Sequence, residues 1–570
     1  MTSDHQDRTE RRRLTVLAAA LILMAAIIVV RLVYYQLVIH ARLETEVLAQ
    51  REREIEIPAE RGMILDATGH PLAISLVQWT ISVSPPLVTN RDMVATQLAE
   101  ILQLSSEELY AKLKSGQPWF PIADHVSQEV GEAIVALKLS GVTCQAEPLR
   151  VYPEGPLAAH AIGIVNDTGV GYYGVEGYYN QGLKGVAGKR EFEQSPAGAE
   201  LPLEPQAQTL PEDGVNLVLT LDRNVQLIAD QELKRAVKEY EAESGTVVIM
   251  DPKTGAILAI ANYPSYDPTE FGGNLDLLVD PAVSTIWEPG SIFKIITWAG
   301  GLDSGTISPD TTIYDSGARE VGGRIIHNWD YQGRGDVTMT DGLAQSLNTV
   351  AAYISTSMGR DTFYTYLRRF GFGSLTGVDL DSEVPGLLRL PGDPDWFPSD
   401  LGTNAFGQGI AVTPVQMTAA VSAVANNGLL MKPHIVKQFV TQDQVDSVEP
   451  MALRQAISQE TADTLKDMLV EVVAREAKMA QVPGYRIAGK TGTAQIPTAY
   501  GYDPDATIVS FIGFAPADDP RFVVLVRLER PKVSPWANNT AAPAFKAIAE
   551  RLLVYMQIPP DNVRAATQGQ

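Results

Sequence analysis

From Leu14 to Val30 the chain carries no charge, and beyond Arg31 the apolar character resumes from Leu32 to Ile39. With Arg31 snorkelling to an interface, this stretch is long enough to cross a bilayer as one helix. Arg8, Arg11, Arg12 and Arg13 precede it, and Arg31 and Arg42 are the only bases soon after it. That bias predicts a cytoplasmic tail over 1–13, an anchor over 14–39, and everything later outside the cytoplasm. Where a cleaved leader would have a small-x-small site, the sequence reads Val-Val-Arg31-Leu-Val-Tyr-Tyr35, so the run is expected to stay in place as a single-pass anchor.

The 570 residues allow several domains, and a formal net charge of -23 argues against a nucleic-acid partner. Cys144 is the only cysteine, which excludes an internal disulfide and a cysteine metal cluster. The seven histidines, at 5, 40, 70, 125, 160, 327 and 434, have no ligand spacing, so neither metal nor cofactor is expected.

Chemistry enters at Glu288-Pro-Gly-Ser291-Ile-Phe-Lys294-Ile-Ile-Thr297. Pro289 and Gly290 break the chain, and a helix is expected from Ser291 onward. A spacing of three puts Ser291 and Lys294 on one helix face, a hydroxyl nucleophile beside an amine base. The intervening and following residues are apolar, so the segment should be buried, which lowers the amine's pKa toward that of a base working near neutrality.

Two further elements follow in order: Ser346-Leu-Asn348, and Lys490-Thr-Gly-Thr493 within a strand-like run from Tyr485 to Ile496. Ser-x-x-Lys, Ser-x-Asn and Lys-Thr-Gly in this order resemble the active-site signature of penicillin-binding proteins and serine β-lactamases. Lys253-Thr-Gly255 mimics the third element, but Asp251-Pro252 before it marks a hairpin tip between two apolar strands, and it precedes the nucleophile.

Residue types suggest the roles. Ser291 attacks an acyl carbon, Lys294 accepts its proton, and Ser346 passes the proton toward a leaving amine. Asn348 orients Lys294 and holds a substrate amide. Lys490 supplies positive charge, Thr491 and Thr493 share a strand face suited to a carboxylate, and Gly492 leaves room for a substrate strand. The amides of Ser291 and Thr493 are candidates for the oxyanion hole.

Arg61-Gly-Met-Ile-Leu-Asp66-Ala-Thr-Gly69-His-Pro-Leu-Ala73, Arg150-Val-Tyr-Pro, Gly174-Val-Glu176-Gly-Tyr-Tyr-Asn180 and Leu183-Lys-Gly185 resemble the N-terminal module of class B penicillin-binding proteins. Their glycines read as turns and close approaches in a scaffold. The expected architecture is α+β: an anchor, an elongated mixed pedestal or dimerisation module over 40–210 ending in a Ser195–Gly214 linker, and a transpeptidase domain over 211–560. That domain should hold a five-stranded antiparallel sheet between helix layers. Strands are expected at Val215–Leu221, around Gly255, and at Ile508–Phe514 and Arg521–Leu528. The last ten residues, 561–570, read as a disordered tail.

The resemblance implies a peptidoglycan D,D-transpeptidase of cell division or elongation. Its Ser291 would be acylated by stem peptides ending in D-Ala-D-Ala and by β-lactam antibiotics. It also implies a glycan polymerase of the SEDS family and other division or elongation proteins as partners. A membrane-anchored β-lactamase or β-lactam sensor would share the motifs without needing a pedestal, and a non-catalytic scaffold would not need Ser291, Lys294 and Lys490.

Overall fold

A strand buried on both faces reads as a continuous apolar run, because neither face has to be polar. That is the case for the sheet at the centre of the second half of the chain. In the computed structural model, which describes residues 3–40, 42, 52–193, 208–270, 274–498 and 501–568, five antiparallel strands form it: β1 (Ser244–Met250), β2 (Ile257–Tyr263), β3 (Ala488–Thr498), β4 (Gly501–Ala515) and β5 (Phe522–Glu529). Their order is β2-β1-β5-β4-β3, which leaves β3 at an edge.

Alternate residues serve opposite layers. Val248, Met250, Ile512, Phe514 and Leu525 join one core with helices α2 (Lys294–Asp303), α4 (Asn348–Met358), α5 (Pro414–Ala425) and α6 (Gln459–Arg475). Val247, Ile249, Phe511, Val524 and Val526 join the other with α1 (Arg223–Glu239) and α7 (Ala541–Tyr555). Each buried aliphatic or aromatic side chain here stabilises the fold by about 1.5–3 kcal/mol, so the sheet is a rigid platform for β3. Helix starts follow their caps: Asp222 accepts from the Asn224 and Val225 amides, Thr413 and Gln416 form a reciprocal capping box ahead of Pro414, and Ser458 accepts from Thr461. The hairpin tip at Asp251–Gly255 is a turn, with Lys253 on the surface in an ion pair with Asp519.

The strand expected at Val215–Leu221 forms as Asn216–Leu219, but it does not join this sheet. It runs parallel to Ile64–Leu65 and antiparallel to Val436–Val440, in a seven-stranded sheet that also contains Pro71–Val83, Phe120–Ser127, Val142–Val151 and Val445–Ser447. Most of the pedestal is therefore continuous with the catalytic half: Glu60–Gly185 and Gly214–Gln570 make one unit, and Met1–Ala59 with Val186–Asp213 the other. In that second unit Ser3–Val33 is helical, followed by a wider helical turn over Tyr34–Val38, and Glu52–Ile57, Gly188–Glu193 and Gln208–Thr209 pair as a small sheet. The apolar stretch Arg11–Val38, 28 residues, is long enough to cross a membrane. Of the expected linker, residues 195–207 lie outside the described residues.

The pedestal motifs converge on one buried carboxylate. Glu176, fully buried, accepts from Arg61 through Oε2 (Nε at 2.8 Å) and from Arg150 Nε through Oε1 at 2.7 Å. Removing one member of such a buried set typically costs about 3–5 kcal/mol, because a charge is left uncompensated. Gly62 packs so closely that a Cβ there would lie 2.1 Å from the Val215 carbonyl oxygen, which ties the Arg61-Gly62 motif to the strand at Asn216.

The chain's end departs from expectation. Asp561–Gln568 is a helix, held by the Asp561 carboxylate accepting from the Arg486 amide and by Arg564 bridging Asp518 and Asp561.

Candidate active site

Gly290 lies in the left-handed region (φ +57), which permits the sharp entry to the nucleophile. Its amide donates to the Gly407 carbonyl at 3.1 Å, and a Cβ on Gly407 would fall 2.4 Å from the Gly290 oxygen, so only glycine fits there. Gly290–Phe293 is a 3-10 turn, and the α-helix begins at Lys294 rather than at Ser291 as expected. Three residues per turn eclipse positions i and i+3, which suits the pair: Lys294 Nζ lies 3.1 Å from Ser291 Oγ.

Four oxygens surround that nitrogen. Besides Ser291 Oγ they are the Ser346 carbonyl at 2.6 Å, Asn348 Oδ1 at 2.8 Å and Ser346 Oγ at 3.1 Å. The two nearest can only accept, because Asn348 is oriented by its Nδ2 donating to the His327 carbonyl at 3.0 Å. A neutral amine spends its two N–H groups on them and keeps its lone pair for a serine hydroxyl. Burial and the neighbouring charge of Lys490 hold the Lys294 amine well below the ordinary lysine value, which favours this neutral form.

Ser346 is displayed by a strained backbone. α3 (Met339–Ala344) starts in a Thr338–Asp341 capping box and closes with Leu347 N–H to the Gly342 carbonyl, and Ser346 sits between α3 and α4 at φ +59. A non-glycine residue there costs about 1–2 kcal/mol, and the gain is a hydroxyl aimed at Lys294.

On β3, Lys490 is buried and its pKa is pushed down to about 8 by burial, with Glu476 opposing the shift. Its nearest hydrogen-bond acceptor is the Thr491 carbonyl at 3.4 Å. Thr491 and Thr493 are partly exposed, and among the described residues neither hydroxyl has a hydrogen-bond partner. A Cβ on Gly492 would meet Ser510 Oγ at 2.5 Å, Ile292 Cγ2 at 2.9 Å and the Pro289 carbonyl at 3.1 Å, so β4 and the nucleophile turn press on this position and keep it glycine. A Cβ on Gly290 would reach the Thr493 carbonyl at 3.2 Å, so β3 does lie alongside the turn that carries Ser291.

Sequence reasoning missed Glu288. Its Oε1 accepts from the Gly409 amide and its Oε2 from the Tyr502 hydroxyl, both at 2.9 Å. One carboxylate thus joins the nucleophile segment, the Phe406–Gly409 loop and the β3–β4 hairpin. Burial pushes its pKa up. A glutamate beside the Pro-Gly break, facing a second glycine-rich loop, was the available signal. Trp287 beside it is tied by both backbone groups to Val412 and lies under the buried Arg527, 5.6 Å from ring centre to guanidinium.

Residues 245–550 match the family model for the penicillin-binding protein transpeptidase domain, and residues 56–219 the penicillin-binding protein dimerisation domain. The chain is 36% identical to the stage V sporulation protein D of Bacillus subtilis over 97% of its own length and 87% of that protein's. It is 31% identical to the probable peptidoglycan D,D-transpeptidase PbpC of Pseudomonas aeruginosa, covering 94% and 93%. Among solved structures, penicillin-binding protein 3 of Mycobacterium tuberculosis complexed with aztreonam superposes with a TM-score of 0.70 at 28% identity, over 89% of this chain and 98% of that one. Matched in both modules and along nearly its whole length, the chain belongs to the class B penicillin-binding proteins.

Proposed function

We propose that this chain cross-links peptidoglycan as a serine D,D-transpeptidase, with Ser291 as the nucleophile. The observation that carries the assignment of roles is the set of four oxygens around Lys294 Nζ, which leaves one lone pair facing a serine hydroxyl. The Ser291 oxygen attacks the carbonyl of the penultimate D-Ala, and its proton goes to Lys294. The tetrahedral oxyanion lies between the amides of Ser291 and Thr493. Collapse breaks the D-Ala-D-Ala bond, and the proton returns through Ser346 to the leaving amine, assisted by the charge of Lys490. The amine of a second stem then attacks the ester, frees Ser291 and completes the cross-link. A β-lactam follows the first half only, because its leaving amine stays tethered in the acyl-enzyme.

Intact-mass measurement with penicillin over hours tests this. The wild-type protein should carry one stable adduct, and Ser291→Ala none, with a melting temperature nearly unchanged since the Ser291 hydroxyl caps no helix and gives up one hydrogen bond, with Lys294, worth about 0.5–1.5 kcal/mol. Rapid loss of the adduct identifies a hydrolase; a full-yield adduct on the alanine variant removes Ser291 as nucleophile.

Two finer readings rest on the sequence. The arginines at 8, 11, 12 and 13 favour a cytoplasmic N-terminus and an external catalytic half; removal of the N-terminal residues by a protease added outside intact cells would reverse that orientation. The family resemblance supports docking on a SEDS glycan polymerase. If an unrelated membrane helix in place of Leu14–Ile39 leaves co-purification and polymerase activation intact, the anchor is only a tether.

A further inference from the structure

Trp329 and Trp536 meet edge to face, ring centres 5.2 Å apart, while remaining 58% and 47% exposed. Exposed indoles in contact across 207 positions of sequence are not a core, and each is held by a catalytic wall. Trp329 follows Asn328, which is buried and bound to Asp315 and to the Thr349 amide at the start of α4, and it comes two residues after His327, whose carbonyl orients Asn348. Trp536 opens the Ala537–Asn539 turn, which packs against β3 and β4. The pair therefore joins the wall carrying Ser346 and Asn348 to the wall carrying Lys490 and Thr491. Beside it Tyr331, 72% exposed, leans on the His327 ring with 4.9 Å between centres. Asp330, between Trp329 and Tyr331, pairs with Arg334 at 2.5 Å.

We propose that Trp329, Trp536 and Tyr331 form an aromatic site for the side-chain ammonium of the residue preceding D-Ala-D-Ala in the donor stem. The inference rests on the transpeptidase reading. Transpeptidation needs an amine on the acceptor stem, and the donor is cut from the same polymer, so it carries that amine too. Open faces of tryptophan and tyrosine attract an ammonium through the ring quadrupole. Held there, the donor's amine stays protonated and cannot attack its own acyl-enzyme. The acceptor's amine has to shed its proton to react, so a cation site suits the donor. The residue concerned is one position, about 3.5 Å of chain, from the acylated D-Ala, and Trp329 is two residues beyond His327, whose carbonyl accepts from Asn348 Nδ2 at 3.0 Å.

The test compares acylation of the full-length protein by two peptides ending in D-Ala-D-Ala, one with lysine and one with norleucine before them. Wild-type kcat/KM should favour lysine about three- to tenfold, through KM. Trp329→Leu and Trp536→Leu keep apolar area and remove the π face; each should bring the ratio close to one, and phenylalanine at either position should restore part of it. In Ser291→Ala protein, which holds donor unreacted, the lysine peptide should change indole emission more than the norleucine peptide does. A wild-type ratio at or below one, or a ratio the leucine variants leave unchanged, overturns the proposal. Wild-type protein that penicillin fails to acylate overturns the transpeptidase reading and this inference with it, whereas a normal penicillin adduct with no lysine preference overturns the inference alone.

Discussion

Lys294→Met is expected to slow acylation by penicillin by about 10²–10⁴-fold, the range associated with loss of a positioned general base. Methionine has a similar length and no polar head, so the cavity stays filled. The Ser346 carbonyl and Asn348 Oδ1 lose their donor, which costs about 1–3 kcal/mol for a buried acceptor left unsatisfied. Against this stands the relief of no longer burying an amine. Lys294 and Lys490 both bind protons less well folded than unfolded, so unfolding takes protons up and stability rises with pH across the gap. For Lys490 that gap runs from about 8 to 10.5, and the stabilisation is lost as pH falls through it. The variant should therefore melt within a few degrees of wild type near neutrality while its chemistry collapses. Acylation within tenfold of wild type would show that another group takes the Ser291 proton.

The same two amines shape the pH profile. Acylation should rise with pH as Lys294 sheds its proton, then fall as Lys490 loses its charge at about 8. Substituting Lys490 by arginine, which keeps its charge to high pH, should flatten the alkaline limb specifically.

Elements whose signal is local were legible in the sequence. The anchor, the Asp251–Gly255 hairpin, the capped helices at Asp222, Thr413 and Ser458, and the three motifs each carry their pattern within about fifteen residues. What was lost depends on distant partners. Asn216–Leu219 has a strand's composition, but nothing in it says that its neighbours are Ile64–Leu65 and Val436–Val440, about 150 positions before it and 220 after it. Asp561–Gln568 lacks an apolar stripe, and its order comes from Arg486 and Asp518 elsewhere in the chain. At Gly492 only the packed structure shows that Ser510, Ile292 and Pro289 leave no room for a side chain. Glu288 escaped because its partners, Gly409 and Tyr502, lie more than a hundred and more than two hundred residues away.

The largest discrimination should come from Thr491 and Thr493. A free C-terminal carboxylate separates the end of a D-Ala-D-Ala stem from an internal peptide bond, and β-lactams carry a matching one. Both hydroxyls stand two apart on an edge strand, partly exposed and without hydrogen-bond partners among the described residues, while Lys490 between the walls brings positive charge. Unused donors beside a buried cation are suited to an anion, and hydrogen bonds to a charged group contribute roughly 1.5–3 kcal/mol each. Replacing both threonines by valine keeps the β-branched shape and the strand, so β3 should hold its place against the nucleophile turn. Acylation by donors with the free carboxylate should then fall on the order of a hundredfold or more. An amidated or esterified donor, which offers no anion, should lose far less, and the wild-type preference for the acid should shrink accordingly. Equal losses for acid and amide would mean that the threonines support β3 and that the carboxylate is read elsewhere.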